Sequence, residues 1–474
     1  MTHPPIDLEE SDMTETHVPA DTIRSIFSAA MTQMYRDEVP RYQEMTRVVG
    51  EIDGEALARD PALEARLRRS GAFDLIGVER HGAIRVGRPE ELAGLRRLFA
   101  VMGMYPVGYY DLTPAGVPVH STCFRPVETE SIRRCPFRIF TSLLRPELIE
   151  GEDLRREAQE ILARRRIFTP RCLHLIEIFE ANGGLGEALA IEFVHEALHT
   201  FRWRGEATVT AGVYEAYRKA HPLVADVVCF HGPHINHLTL PTLDIDAAQK
   251  ALAERGLDPK SIVEGPPRRQ FPILLRQTSF KAIAEPVRFA GRDEARGEHR
   301  ARFGEIEQRG AALTAKGRAL YDRLLAETLA ANPPRDGAIN DYRAELERRF
   351  SAFPDDAATV RAQGLAFFRY APGDKRAAGS SDVETLLREG ALVAEPITYE
   401  DFLPVSAAGI FQSNLGEGGR RELSASANRD AFEHALGTKV ADETAIYAHE
   451  EKSSLERALE ALARRSPMAE NAGR

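Results

Sequence analysis

The sequence predicts an α+β protein whose core is a curved, partly closed sheet of two βαβββ modules, with helices added at both ends and between the modules. Two observations carry that expectation. A helix that follows extended chain and stops at Gly-x-x-Pro occurs twice, at Gly103-Met104-Tyr105-Pro106 and at Gly256-Leu257-Asp258-Pro259, and strand-like segments follow each time. No low-complexity stretch or long linker divides the 474 residues, so the pieces are expected to pack around one central sheet rather than form a string of domains.

Taken in order, residues 1–20 are polar, acidic and proline-containing, the composition of an unstructured tail. Residues 21–72 read as a helical region. Ile23, Ile26, Phe27, Met31 and Met34 keep helical spacing, and Val39-Pro40 marks a break before a second helix. The first module opens with extended chain over 73–86. Pro89-Glu90-Glu91 then starts a helix, with proline in the first turn and acids at the positive end of the dipole; Leu92, Leu95, Leu98, Phe99 and Met102 form its apolar stripe. Strands are predicted near 107–111, 118–124 and 136–144.

A helical insertion at about 150–220 carries helices near 153–166 and 187–201. The second module reads as extended chain at 227–230 and 234–240, a helix with Ile245, Ala248 and Leu252 on one face, and strands near 273–280 and 301–307. The core therefore spans 73–310. Residues 311–474 form a helical and mixed region, with helices at 313–330 and 342–350, a strand at 365–370, a Gly- and Ser-bearing loop at 402–415 and a last amphipathic helix at 454–465.

Composition narrows the function. Hydrophobic residues make up 43% and charged residues 28%, an ordinary globular balance. A formal charge of −10 lacks the basic field of a nucleic-acid binder, and the longest basic run, Arg164-Arg165-Arg166, reads as a solvated helix end. The four cysteines, Cys123, Cys135, Cys172 and Cys229, form no CxxC pair, which fits a reducing cytoplasm and offers no thiolate metal site. The N-terminus has no secretory pattern, and no apolar run approaches the roughly 18 residues of a membrane span. The expectation is a soluble cytoplasmic globular protein, with no nucleic-acid or membrane partner; the oligomeric state is left open.

Two metal-site readings compete. His195-Glu196-Ala197-Leu198-His199 is an HExxH string on a predicted helix, where histidines four apart share a face and the glutamate can activate a zinc-bound water. It lacks the HxxGxxH extension, and no acidic ligand stands out on a second patterned helix, Glu215 being one candidate. Two surface or core histidines on a helix are the simpler explanation. The second reading comes from the repeat. His81 and His237 occupy corresponding places, each on extended chain ahead of its module's helix, and Glu305 and Glu307 share one face of a later extended segment. Two histidines and one carboxylate make the facial triad that leaves positions open on Fe(II) for substrate and O2.

At these residues the chain resembles a known family. The strings Val78-Glu79-Arg80-His81-Gly82-Ala83-Ile84-Arg85, Ile235-Asn236-His237-Leu238-Thr239, Phe303-Gly304-Glu305-Ile306-Glu307-Gln308-Arg309-Gly310 and Phe402-Leu403-Pro404-Val405-Ser406-Ala407-Ala408-Gly409-Ile410-Phe411 are similar to the 2-oxoadipate dioxygenase/decarboxylase (hydroxyglutarate synthase) family. The likeness spans about residues 21 to 450. That family is related to the vicinal oxygen chelate superfamily, so the resemblance implies a vicinal-oxygen-chelate-like core of paired modules.

It also implies Fe(II) bound by His81, His237 and Glu305, with Glu305 favoured over Glu307. Arg85 would hold a substrate carboxylate, and Val405 and Ser406 would contact substrate from a loop, so that the 311–474 region completes the active site. The implied reaction turns 2-oxoadipate and O2 into 2-hydroxyglutarate and CO2, in lysine catabolism. The alternatives are a zinc-dependent hydrolase on residues 195–199 and a non-catalytic binding protein for 2-oxo acids.

Overall fold

A computed structural model describes residues 17–291, 295–335, 337–375, 382–403 and 425–465. The first module follows the predicted order: β1 (His81–Val86), a helix Pro89–Val101, β2 (Tyr105–Asp111), β3 (Val119–Arg125) and β4 (Arg138–Leu144). Its first strand is shorter than expected. Phe73–Leu75 form a single 3-10 turn and Gly77 sits at φ 77°, a left-handed conformation that interrupts extended chain, so pairing begins only at His81.

The second module contains β5 (His237–Pro241), a helix Ile245–Glu254, β6 (Leu275–Ser279) and, after an unexpected hairpin of β7 (Glu285–Arg288) with β8 (Arg296–His299), β9 (Phe303–Arg309). The hairpin forms its own two-stranded sheet, so this module gives the main sheet three strands. The strand expected at 227–230 is not formed. Val227 and Val228 end a short helix, Pro222–Val228, in which every residue from Leu223 onward is buried. A short apolar run that is buried on all sides carries no periodicity to tell helix from strand.

The seven strands lie in the order β2-β3-β4-β1-β5-β9-β6, curled as a half-barrel. In both modules the first strand pairs in parallel with the last, β1 with β4 and β5 with β9, and the modules meet along an antiparallel β1–β5 seam. This is the paired-module sheet that the repeated helix stops predict.

One face of the sheet carries the larger apolar core. Ile84, Ile139, Leu238, Leu240 and Ile306 pack there with Phe27, Met31, Tyr42 and Met45 of the helices Ala20–Glu38 and Pro40–Arg59. Burying each such side chain stabilises the fold by about 1.5–3 kcal/mol. Gly304 permits the close approach, because a Cβ there would lie 2.8 Å from the Tyr42 ring and 2.5 Å from that of Phe280. The Tyr35 hydroxyl donates to the carbonyls of Phe303 (2.7 Å) and Asn236 (3.0 Å), tying the first helix to the starts of β9 and β5.

The opposite face is covered by the C-terminal region, which includes the helices Ala315–Ala331 and Ile339–Phe350, the pair β10 (Phe368–Pro372) and β11 (Leu392–Pro396), and a last helix, Glu443–Arg464, that begins earlier than the predicted 454. Its segment 399–402 is held by buried arginines of the sheet. Arg125 grips Asp401 with Nε–Oδ1 at 2.8 Å and Nη2–Oδ2 at 2.9 Å, Arg138 pairs with Glu400, and Arg309 donates to the carbonyls of Tyr399 (2.9 Å) and Asp401 (2.8 Å). Tyr447 of the last helix also donates to Asp401. The remainder of the predicted loop, 404–415, lies outside the described residues.

The basic run differs from expectation too. Arg165 is buried, with Nε and Nη2 on the Glu91 carboxylate at 2.7 and 2.6 Å, because the helix end packs against the first module rather than solvent. Among the described residues no helix is long and apolar enough to cross a membrane. Asp401→Ala, which strands the buried Arg125 guanidinium, should cost about 3–5 kcal/mol of stability in a denaturant titration.

Candidate metal centre

Strand register assembles the centre. His81 on β1 lies opposite Thr239 on β5, and Thr239 lies beside Glu305 on β9, so three neighbouring strands present one row of side chains to the same face. His237, two residues before Thr239, projects to that face as well. The ligating atoms of His81, His237 and Glu305 lie within 4.8 Å of one another, and all three residues are buried.

His81 Nε2 is 3.2 Å from Glu305 Oε1, and His237 Nε2 is 3.8 Å from the same oxygen. The carboxylate is oriented by the Thr239 hydroxyl, which donates to Oε1 at 2.9 Å, and by Gln277 Nε2, which donates to Oε2 at 3.0 Å. Behind the first histidine, Glu307 Oε2 lies 3.1 Å from His81 Nδ1, while Arg309 holds the Glu307 carboxylate through Nε (2.6 Å) and Nη2 (3.0 Å). The structure thus separates the two glutamates that sequence placed on one face: Glu305 stands between the histidines and Glu307 behind one of them. A carboxylate behind a ligating histidine is a recurrent support of metal sites.

The residues present fit a metal ion. Among the described residues both ring nitrogens of His237 are buried without a hydrogen-bond partner, an arrangement that native proteins seldom leave uncompensated. Burial pushes the His237 imidazole down to about 3, keeping it neutral with a lone pair to offer. Two imidazoles and one carboxylate leave several coordination positions open.

Arg85 is four residues along β1 from His81 and faces the same side, with its side chain 14% exposed. Its Nη1 is 2.7 Å from Asp226 Oδ2. Phe402, delivered by the arginine-held segment, sets its ring 4.7 Å from that of His81 in an edge-to-face contact. Val405 and Ser406 lie outside the described residues. His234 precedes β5 and turns to Asp226, away from His237's cluster. Sequence reasoning missed Thr239, Gln277 and Asp226; period-two spacing from His237 marked Thr239, whereas nothing local marked the other two.

The HExxH string forms no comparable group. His195 and His199 are exposed, Glu196 accepts a hydrogen bond from Thr169, the residue that caps the helix Pro170–Asn182, and Glu215 is an exposed partner of Arg218 at 2.7 Å. Among the described residues no third ligand joins them.

The family model for 2-oxoadipate dioxygenase/decarboxylase matches residues 27–414. A 2-oxoadipate dioxygenase/decarboxylase of Pseudomonas putida is 54% identical over 453 residues, covering 94% of this chain and 98% of that protein. One from Escherichia coli is 52% identical, covering 93% and 98%. The crystal structure of the hydroxyglutarate synthase from Pseudomonas putida in complex with 2-oxoadipate superposes with a TM-score of 0.87 at 52% identity, covering 94% of this chain and 99% of that one. With the match running nearly end to end and through every strand of the sheet, the chain belongs to the 2-oxoadipate dioxygenase/decarboxylase family.

Proposed function

We propose that this protein converts 2-oxoadipate and O2 into 2-hydroxyglutarate and CO2, with Fe(II) held by His81, His237 and Glu305. The buried cluster of two imidazoles and one carboxylate carries this reading, and the 2-oxoadipate-bound relative supports the substrate. The reaction balances without a second organic acid, since the substrate supplies its own electrons: its first carboxylate leaves as CO2, and both oxygen atoms of O2 enter 2-hydroxyglutarate, in the new carboxylate and the hydroxyl. Fe(II) at these ligands would supply the redox chemistry through which O2 reacts with a 2-oxo acid.

The chain's own part is binding and orientation. Arg85 receives the distal carboxylate, for which the planar guanidinium fork suits better than an ammonium. Thr239 and Gln277 fix the Glu305 carboxylate, and Phe402 with the segment around it keeps water from the face of His81. Val405 and Ser406 complete the substrate contacts in this reading. Four free, buried cysteines suit a reducing cytoplasm, where the reaction would serve lysine catabolism.

Iron analysis combined with an oxygen electrode and CO2 measurement tests the assignment. Iron-loaded protein given 2-oxoadipate should consume O2 and release CO2; retention of iron without CO2 release would refute the substrate. His81→Ala and His237→Ala should lose iron and turnover together, and near-wild-type activity in either would remove the triad. Arg85→Lys should raise KM by roughly tenfold or more with a smaller change in kcat, because it removes the fork. Glu196→Gln should leave iron content and turnover unchanged; loss of chemistry with metal retained would instead favour a hydrolase on 195–199.

A further inference from the structure

Asp226, His234 and His299 form a second buried cluster of one carboxylate and two imidazoles, with ligating atoms within 4.8 Å of one another. Its hydrogen bonds distinguish it from the metal centre. Asp226 Oδ1 is 2.9 Å from His299 Nε2 and 3.3 Å from His234 Nε2, while Oδ2 is 2.7 Å from Arg85 Nη1 and 3.3 Å from Asn236 Nδ2. The other nitrogen of His299, Nδ1, is 2.9 Å from the Tyr214 hydroxyl. His299 is therefore engaged at both nitrogens, and a cation placed against Asp226 would face the Arg85 guanidinium. Where His237 has orphaned nitrogens, this cluster is closed on itself.

The cluster is also mechanically fixed. The His299 ring is stacked on Trp203 (centroids 5.8 Å apart, planes at 8°) and touches Phe230 at 4.7 Å. Burial pushes the Asp226 carboxyl up, but His234, the hydrogen bond from His299 and Arg85 outweigh it and hold it well below the ordinary carboxylate range. A buried, ionised carboxylate held by two imidazoles thus grips one nitrogen of the arginine that projects beside the metal centre. The residues that hold it come from the helical insertion, the segment leading into β5 and the β7–β8 hairpin, all outside the paired modules' common plan.

We infer that Asp226 is a positioning residue: anchored by His299 and His234, it fixes the Arg85 guanidinium in the orientation that selects 2-oxo acids ending in a second carboxylate. The inference rests on Arg85 receiving the distal carboxylate, as proposed above. An arginine side chain left to itself samples many rotamers, and ordering it beforehand strengthens only those ligands that use it. Asp226 therefore acts on discrimination between substrates rather than on 2-oxo acid binding in general.

The test compares 2-oxoadipate with 2-oxohexanoate, which has the same chain length and no distal carboxylate, by anaerobic titration calorimetry on the iron-loaded full chain. Asp226→Asn should weaken 2-oxoadipate by roughly tenfold or more while leaving 2-oxohexanoate within about twofold, with iron content unchanged. His299→Gln should move the ratio in the same direction and serves if Asp226→Asn does not fold. Arg85→Gln should abolish the discrimination, and adding Asp226→Asn to it should reduce the ratio no further.

If Arg85→Gln discriminates as wild type does, the Arg85 assignment itself falls. If Arg85→Gln loses discrimination but Asp226→Asn and His299→Gln keep it, or lose both acids in proportion, Asp226 is not a positioning residue. A second equivalent of iron in the wild type that Asp226→Asn removes would make the cluster a metal site and overturn the inference.

Discussion

The candidate site depends on the register of one seam, where β1 runs antiparallel to β5 and β5 parallel to β9. Side chains directly opposite on neighbouring strands stand about 5 Å apart, within reach of a shared hydrogen bond or ion. In this register His81, Thr239 and Glu305 occupy one row. A slip of one residue would turn His237 and Thr239 into the apolar core and Leu238 and Leu240 out of it. The alternation His237-Leu238-Thr239-Leu240 therefore encodes both sides at once: the leucines lock the register, and the register places the histidine and threonine.

The paired arrangement was legible because its signals are local. Helix stops at Gly103 and Gly256, the first-turn Pro89 and the apolar stripe after it each report on a few neighbouring residues, and they outline the modules without any knowledge of the tertiary fold. His81, Arg85, His237 and Glu305 were legible through spacing on strands and through motif resemblance. The apolar run Val227–Phe230 was misread because burial on every side erases periodicity. The β7–β8 hairpin escaped because sequences such as Arg296–His299 carry no apolar alternation, and of those four residues His299 alone is buried.

What the sequence conceals most completely is the pairing of buried charges. Arg125 meets Asp401 across 276 positions and Arg138 meets Glu400 across 262. Taking such groups from water is costly, and a hydrophobic pair of similar volume often stabilises as well or better. Here each arginine satisfies a carboxylate and backbone carbonyls in one fixed geometry, so the C-terminal segment has a single way to dock. That single docking is what brings the Phe402 ring onto His81.

The Tyr35 hydroxyl gives the N-terminal helix a bearing on the site that its distance along the chain does not suggest. Its two acceptors are the carbonyls of Asn236 and Phe303, a residue immediately before His237 and one two positions before Glu305. A helix that looks like an outer layer therefore clamps together, from behind, the two parallel strands that carry two of the three proposed ligands. With the C-terminal segment fixed to the other face, the paired modules are gripped like a hinge leaf between two plates. A protein organised this way resists dissection: the modules hold the chemistry, but its smallest working unit takes in the flanking helices as well.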